Sequence, residues 1–138
     1  MAVVIFFGVY VSGQPETNVV LNEICTANVR CVEDENGEFP DWMEIYNPTD
    51  RVIDLSGYII NDSIDLVTNE KFIIPDGTIL EPGAYYLFDP KFLVSSQGET
   101  VNLLDRKRRY VDRVEVPALK YDTTYARVSD GSYEWAVK

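Results

Sequence analysis

Short apolar runs, each ended by a turn, recur along this chain from Asn18 to its carboxyl end. Segment 41–48 shows the repeating unit, because aromatic and aliphatic side chains alternate in it and Pro48 then prevents a regular continuation. Turn pairs such as Asn36-Gly37 separate the runs at a spacing typical of a sandwich or barrel, and no amphipathic helix of useful length occurs. The pattern predicts an all-β protein of about nine strands, with the aromatic residues of segment 41–48 in its core.

Size and charge limit the classes of function. The chain has 138 residues, which suits one domain and is enough to bury about two thirds of its unfolded surface. We assign that domain to residues 14–138 and treat residues 1–13 as a separate apolar segment. The net charge of -11, from 23 acidic and 12 basic residues, gives an average surface potential that repels phosphate backbones and anionic membranes. Nucleic-acid binding by the surface as a whole is therefore not expected.

The amino-terminal segment allows two interpretations. Residues 2–11 carry no charge and are too few to span a bilayer, but they have the length of a signal-peptide hydrophobic region. Val11 and Gly13 also suit the small-residue positions before a cleavage in front of Gln14, although the positively charged leader is missing. The alternative is an extra strand covered on both faces. A cleaved leader would make the protein secreted or attached to the cell surface.

Five of the twelve basic residues are concentrated in segment 106–113. Residues 105–110 connect two predicted strands, 100–104 and 110–116, so we expect them to form the tip of a β-hairpin. A solvated turn is the simpler interpretation of such a charge run. The alternative is a docking site for an acidic protein partner, formed by Arg106, Lys107, Arg108 and Arg109.

Reactive chemistry has few residues to use. Histidine is absent, which removes the commonest general base near neutral pH and the commonest transition-metal ligand. Cys25 and Cys31 belong to no zinc pattern, and they either close a short disulfide loop, worth about 2 kcal/mol, or remain free thiols. A bridge would indicate an oxidising compartment. No nucleophile elbow, Walker loop, zinc-protease motif or dinucleotide fingerprint occurs, so we expect neither catalysis nor a cofactor.

Acidic and aromatic residues suggest two ligand classes. Loop 33–38 with Asp41 offers the oxygen ligands that Ca²⁺ prefers, but it lacks the spacing of an EF-hand, and a hydrated loop is the more usual outcome. Asn61, Asp62 and Asp65 form a second group of this kind. Aromatic residues could stack on sugar rings, although in a sandwich they more often fill the core. The candidates are Tyr46, Tyr58, Tyr85, Tyr86, Tyr121, Tyr125 and Trp135.

The ordered set of blocks resembles the lamin tail domain family, and specifically its bacterial extracellular branch. The resemblance covers nearly everything from about residue 19 to residue 135. Its blocks are 21–24 (LNEI), 41–48 (DWMEIYNP), 55–58 (LSGY), 72–78 (FIIPDGT), 80–83 (LEPG), 96–101 (SQGETV), 111–114 (VDRV), and 125–127 (YAR) followed by 130–132 (DGS) and Trp135. The resemblance implies an immunoglobulin-like antiparallel β-sandwich that is non-catalytic and serves as an accessory part of secreted or surface proteins, some of them nucleases. A nuclear filament role is not implied, because the chain has no heptad-bearing rod.

The residues and the resemblance together predict an interaction module. We expect it to bind or position a protein partner, as a monomer or weak dimer without a membrane span. The alternative is a carbohydrate-binding module, with or without calcium. Glu44 interrupts an apolar run, so it is either solvated or a buried carboxylate paired with a base such as Arg127, and we expect solvation.

Overall fold

The computed structural model describes residues 18–62, 72–92 and 94–138. Asp65 and the amino-terminal segment lie outside these ranges, so both interpretations of residues 1–13 stay open. The described residues form eleven strands and no α-helix. No helix able to cross a bilayer occurs among them. The strands are β1 (Val20–Cys25), β2 (Trp42–Tyr46), β3 (Ile53–Asp54), β4 (Ile59–Asn61), β5 (Phe72–Ile73), β6 (Ile79–Leu80), β7 (Tyr85–Phe88), β8 (Glu99–Leu104), β9 (Tyr110–Val116), β10 (Tyr125–Arg127) and β11 (Trp135–Val137).

Two antiparallel sheets enclose one hydrophobic core. The first sheet has the strand order β11-β10-β1-β2-β7, and the second has the order β5-β4-β8-β9, while β3 and β6 form a separate two-stranded ribbon. A single cluster of buried side chains includes Leu21 and Ile45 from the first sheet and Ile60 and Leu103 from the second, each with no exposed surface. This arrangement confirms the predicted all-β, immunoglobulin-like sandwich.

The described residues form eleven strands, against about nine predicted, and one of the extra strands arises because the run 52–61 is broken in two. Residues 52–61 form two strands, since Gly57 turns the chain with φ +79° and the Tyr58 N–H donates to the Leu55 carbonyl at 3.0 Å. A Cβ at position 57 would lie 3.3 Å from the Cβ of Arg106, so the turn also needs a close approach that glycine permits. β3 has only two residues, which is too short to produce a readable alternation of its own.

The strand β2 buries its aliphatic and thioether residues in the core. Met43 and Ile45 belong to the core cluster with no exposed surface, and each contributes about 1.5–3 kcal/mol through burial. Tyr46 is half-buried, and Trp42, although only 9% exposed, packs outside that cluster. The alternation is as predicted, but of the two aromatic residues predicted in the core only Trp42 is buried, and Tyr46 is not. They lie on the outer face, where the Tyr46 and Tyr85 ring centroids are 5.1 Å apart.

Candidate interaction surfaces

The basic segment forms the tip of the β8–β9 hairpin, as predicted. The turn is closed by the Asp105 N–H, which donates to the Arg109 carbonyl at 2.9 Å, and by the Arg108 N–H, which donates to the Asp105 carbonyl at 2.9 Å. Arg106, Lys107, Arg108 and Arg109 are all exposed. The hairpin therefore holds four consecutive cations in solvent on an otherwise acidic chain. We call these four residues the basic tip.

The conformation of the basic tip is set mainly by the buried Asp105. Its Oδ1 accepts the N–H groups of Lys107 at 2.8 Å and Arg109 at 3.0 Å, and its Oδ2 accepts the Arg109 Nε at 2.7 Å. Burial raises the pKa of Asp105, but these hydrogen bonds outweigh burial and leave the pKa below its ordinary value. Arg108 has φ 63°, a left-handed conformation that glycine adopts more easily. Replacement of the side chains of Arg106, Lys107 and Arg108 therefore leaves the hydrogen bonds between Asp105 and Arg109 in place.

A polar network connects the outer face of the first sheet to the β10–β11 turn. Asn22, at a register shift in β1, donates its Nδ2 to Glu44 Oε1 at 2.7 Å and to Asp130 Oδ1 at 3.0 Å. Its Oδ1 accepts the Gly131 N–H at 3.2 Å, and the Tyr85 hydroxyl donates to Asp130. The bond to Asp130 is the main cause that raises the pKa of Tyr85 to about 12. The network fixes the turn against β1, β2 and β7.

We expected Glu44 to be solvated, but it is not. It is also not paired with Arg127, which was the alternative. It is half-buried and hydrogen-bonded to Asn22, whereas the Arg127 Nη2 lies 2.8 Å from Asp112 Oδ2. Burial raises the pKa of Glu44, the Asn22 hydrogen bond lowers it, and the charge of Glu23 raises it again. The net pKa is above its ordinary value, so the folded state disfavours the ionised form of this side chain.

Glu44→Gln is expected to stabilise the protein more at pH 7 than at pH 4. Because the folded pKa of Glu44 is raised, the folded state binds the proton more tightly than the unfolded chain, and this stabilisation is lost as the pH rises through the folded pKa. Glutamine can keep the Asn22 hydrogen bond without titrating. Thermal unfolding of both proteins at the two pH values measures the effect, and a difference in melting temperature that stays constant or shrinks towards pH 7 would contradict it.

The acidic loop uses one of its carboxylates to order its own backbone. Asp34 Oδ1 accepts the N–H groups of Asn36 at 2.9 Å and Glu38 at 2.8 Å, and Gly37 has φ +80°, which confirms the predicted turn. In the ranges that the structure describes, no group of three or more histidine, cysteine, aspartate or glutamate side chains is placed to hold a metal ion. In the second acidic group, Asn61 Oδ1 accepts the Asn102 Nδ2 at 3.0 Å.

The aromatic residues considered for sugar binding lie in different environments. Tyr46 and Tyr85 pair on the outer face of the first sheet. Tyr125 and Trp135 form an edge-to-face pair with centroids 5.0 Å apart, and both pack against the core. Tyr58 is a core residue with 7% of its surface exposed. These five rings do not make one flat platform for a sugar.

Both cysteines are free thiols in the structure. Cys25 is buried at the end of β1, and burial raises its pKa. Cys31 is exposed, and its Sγ lies 3.6 Å from the Asp122 carbonyl oxygen. The sequence left open a disulfide or two free thiols, and the described structure contains two free thiols.

An apolar groove lies where β2 begins and β7 ends, and the sequence did not predict it. Its cavity has a volume of about 220 Å³. The apolar lining residues are Val32, Pro40, Trp42, Leu87 and Phe88. These residues come from segments more than 40 positions apart, so only the pairing of β2 with β7 brings them together. The signal available in the sequence was Leu87, an aliphatic residue in a strand that is otherwise aromatic.

Comparison with known proteins identifies the family. A search of curated proteins and a search of solved structures found no match to the chain. The family model described as Lamin Tail Domain matches residues 12–118, which is more than half of the chain and includes β1 to β9. The matched region thus contains the whole second sheet, the basic tip and the apolar groove. This chain belongs to the Lamin Tail Domain family.

Proposed function

We propose that the chain is a non-catalytic module of a secreted or cell-surface protein of the bacterial extracellular type, and that it binds or positions a protein partner. Domains of this family are immunoglobulin-like and are generally non-catalytic interaction modules. The lack of histidine in the chain supports a role without acid–base catalysis. The uncharged residues 2–11 and the resemblance to the extracellular branch support export.

The observation that carries the proposal is the basic tip on a chain with a net charge of -11. Its four cations are exposed, and the turn that holds them is fixed by Asp105. Arg106 Nη2 lies 3.5 Å from Asp54 Oδ2, with both side chains about half exposed, and ion pairs of this kind contribute little to stability. The same guanidinium donates to the Asp54 carbonyl at 3.3 Å, and an acidic surface on a partner would compete with Asp54 for it. Charge complementarity of this kind sets the orientation and the rate of association.

An acidic peptide provides a defined test of the basic tip. The probe is a ten-residue peptide rich in aspartate and glutamate, and its binding is measured by calorimetry at low and high salt. The tip variant carries Arg106→Gln, Lys107→Gln and Arg108→Gly, and it keeps Arg109 because that side chain binds Asp105. The matched control removes three exposed cations elsewhere and changes the net charge equally: Arg30→Gln, Arg51→Gln and Lys120→Gln.

We expect the tip variant to bind the acidic peptide at least about tenfold more weakly than the original protein, and the control to stay within about twofold. High salt should weaken the original complex, because exposed charges are screened. Equal losses in the two variants, or no saturable binding, would overturn the role of the tip. Glycan binding that disappears on chelation would favour the carbohydrate module, and hydrolytic turnover that depends on a carboxylate pair would overturn the non-catalytic assignment.

A further inference from the structure

The apolar groove continues into a second cavity. This cavity has a volume of about 260 Å³ and shares Pro40 and Asp89 with the first. Leu87, on the groove wall, has 49% of its surface exposed, so an apolar side chain faces solvent at this point. The indole N–H of Trp42, another lining residue, has no acceptor among the described residues. The two cavities meet at Pro40 and Asp89 and together form one depression that both apolar and charged residues line.

Carboxylates line this depression at both ends. Glu33, Asp34 and Asp89 line the first cavity, and Asp41 joins Asp89 in the second. Lys91 is the one cation among the lining residues, and its ammonium lies 2.9 Å from Asp89 Oδ2. Its pKa is raised by Asp89, and also by the charge of Asp34. The groove therefore has a net negative rim that already attracts an ammonium group from the chain itself.

Among the described strands, β7 pairs with β2 alone, so its other edge faces no described strand. β7 is the outermost strand of the first sheet on the side of β2. The Asn47 N–H donates to the Ala84 carbonyl, and the antiparallel register then directs the backbone groups of Tyr86 towards β2. By the same alternation, the backbone groups of Tyr85 and Leu87 point away from β2, to the edge that no described strand covers. An extended segment can pair with such an edge and add a strand to it.

We propose that the apolar groove and the edge of β7 together dock an extended, lysine- or arginine-bearing segment of a protein partner. The main chain of the segment pairs with Leu87, an apolar side chain fills the groove, and cationic side chains reach Glu33 and Asp89. The rim charge selects a cationic segment over a neutral or acidic one, because the carboxylates would otherwise face an uncharged or repulsive neighbour. This surface is separate from the basic tip, so either one can fail without the other.

A cationic peptide of eight residues, with lysine and valine in alternation, is the probe for this site. Its affinity is measured by calorimetry, and its contacts are mapped by amide chemical shifts of the full chain. The groove variant carries Glu33→Gln and Asp89→Asn, and the matched control carries Asp76→Asn and Glu81→Gln, two exposed acids in turns away from the groove. Both variants change the net charge by the same amount. Leu87→Lys is the second variant, and it keeps the core because Leu87 is exposed.

We expect the groove variant and Leu87→Lys each to weaken binding at least about tenfold, and the control to change it by less than about threefold. The amide shifts should lie at residues 33–34 and 85–89. Equal losses in the groove variant and the control would show non-specific attraction to an acidic protein and overturn the proposal. Equal binding of an acidic peptide would also overturn the proposal. The same holds if the protein self-associates, with the basic tip of a second copy in the groove, and the groove variant abolishes that self-association.

Discussion

Asp112→Ala is expected to destabilise the protein by about 3–5 kcal/mol, because it leaves a buried guanidinium without its counter-charge. Arg127 and Asp112 have side chains that are 6% and 17% exposed, and the Nη2–Oδ2 distance is 2.8 Å. Asp112 Oδ2 also accepts the Leu21 N–H at 2.8 Å, and the Arg127 Nε donates to the Leu21 carbonyl at 2.7 Å. One carboxylate therefore connects β9 to β1 and β10 across the two sheets.

Urea denaturation of the variant, compared with Glu115→Ala, measures this effect. Glu115 is on the same strand, but its side chain is 79% exposed and its Oε1 lies 3.5 Å from Arg113 Nη2. Loss of such a surface pair should cost less than about 1 kcal/mol. A similar small loss for both variants would mean that Arg127 reaches water or another acceptor when Asp112 is removed, contrary to the burial described above.

Asn47→Ala should destabilise the protein by about 2–4 kcal/mol, because it leaves several buried polar groups without a hydrogen-bond partner at once. Asn47 has no exposed surface. Its Nδ2 donates to the carbonyls of Arg51 at 2.7 Å and Leu80 at 3.0 Å, and its Oδ1 accepts the Thr49 N–H at 3.0 Å and hydroxyl at 2.7 Å. The side chain thus holds the loop after β2 against β6.

The control for Asn47→Ala is Asp50→Ala in the same loop. The Asp50 side chain is 98% exposed, so its replacement should change the free energy of unfolding by less than about 0.5 kcal/mol. Equilibrium unfolding in guanidinium chloride distinguishes the two variants. If Asn47→Ala were as mild as the control, the loop would not depend on these four hydrogen bonds, and the amide would have only a packing role.

Turn chemistry was the part of the fold that the sequence predicted best. Asn36-Gly37 and the segment after Asp105 form turns where predicted, because glycine or a short acidic side chain stabilises them through local contacts. The alternation in β2 was also predicted, but the face that reaches the core was not. An alternating pattern shows that Met43 and Trp42 lie on opposite faces of the strand, but it does not show which face packs against the core. That depends on the shape of the opposite sheet.

Contacts between distant segments could not be predicted from the sequence. Arg127 was considered as a partner for Glu44, but it binds Asp112, because β9 packs beside β1 and places a carboxylate closer to the guanidinium. The apolar groove likewise requires the register in which Glu44 pairs with Leu87. Many acidic residues of the chain could pair with Arg127, and the sequence around each of them does not show which one lies closest in the fold.

The most direct measurement of the central claim, that this Lamin Tail Domain is a binding module with two oppositely charged docking surfaces, is an amide chemical-shift titration of one labelled sample. The acidic peptide and the cationic peptide are added to separate portions of the sample. We expect the acidic peptide to shift residues 105–110 and the cationic peptide to shift residues 33–34 and 85–89. Shifts at neither surface, or the same residues responding to both peptides, would contradict the claim.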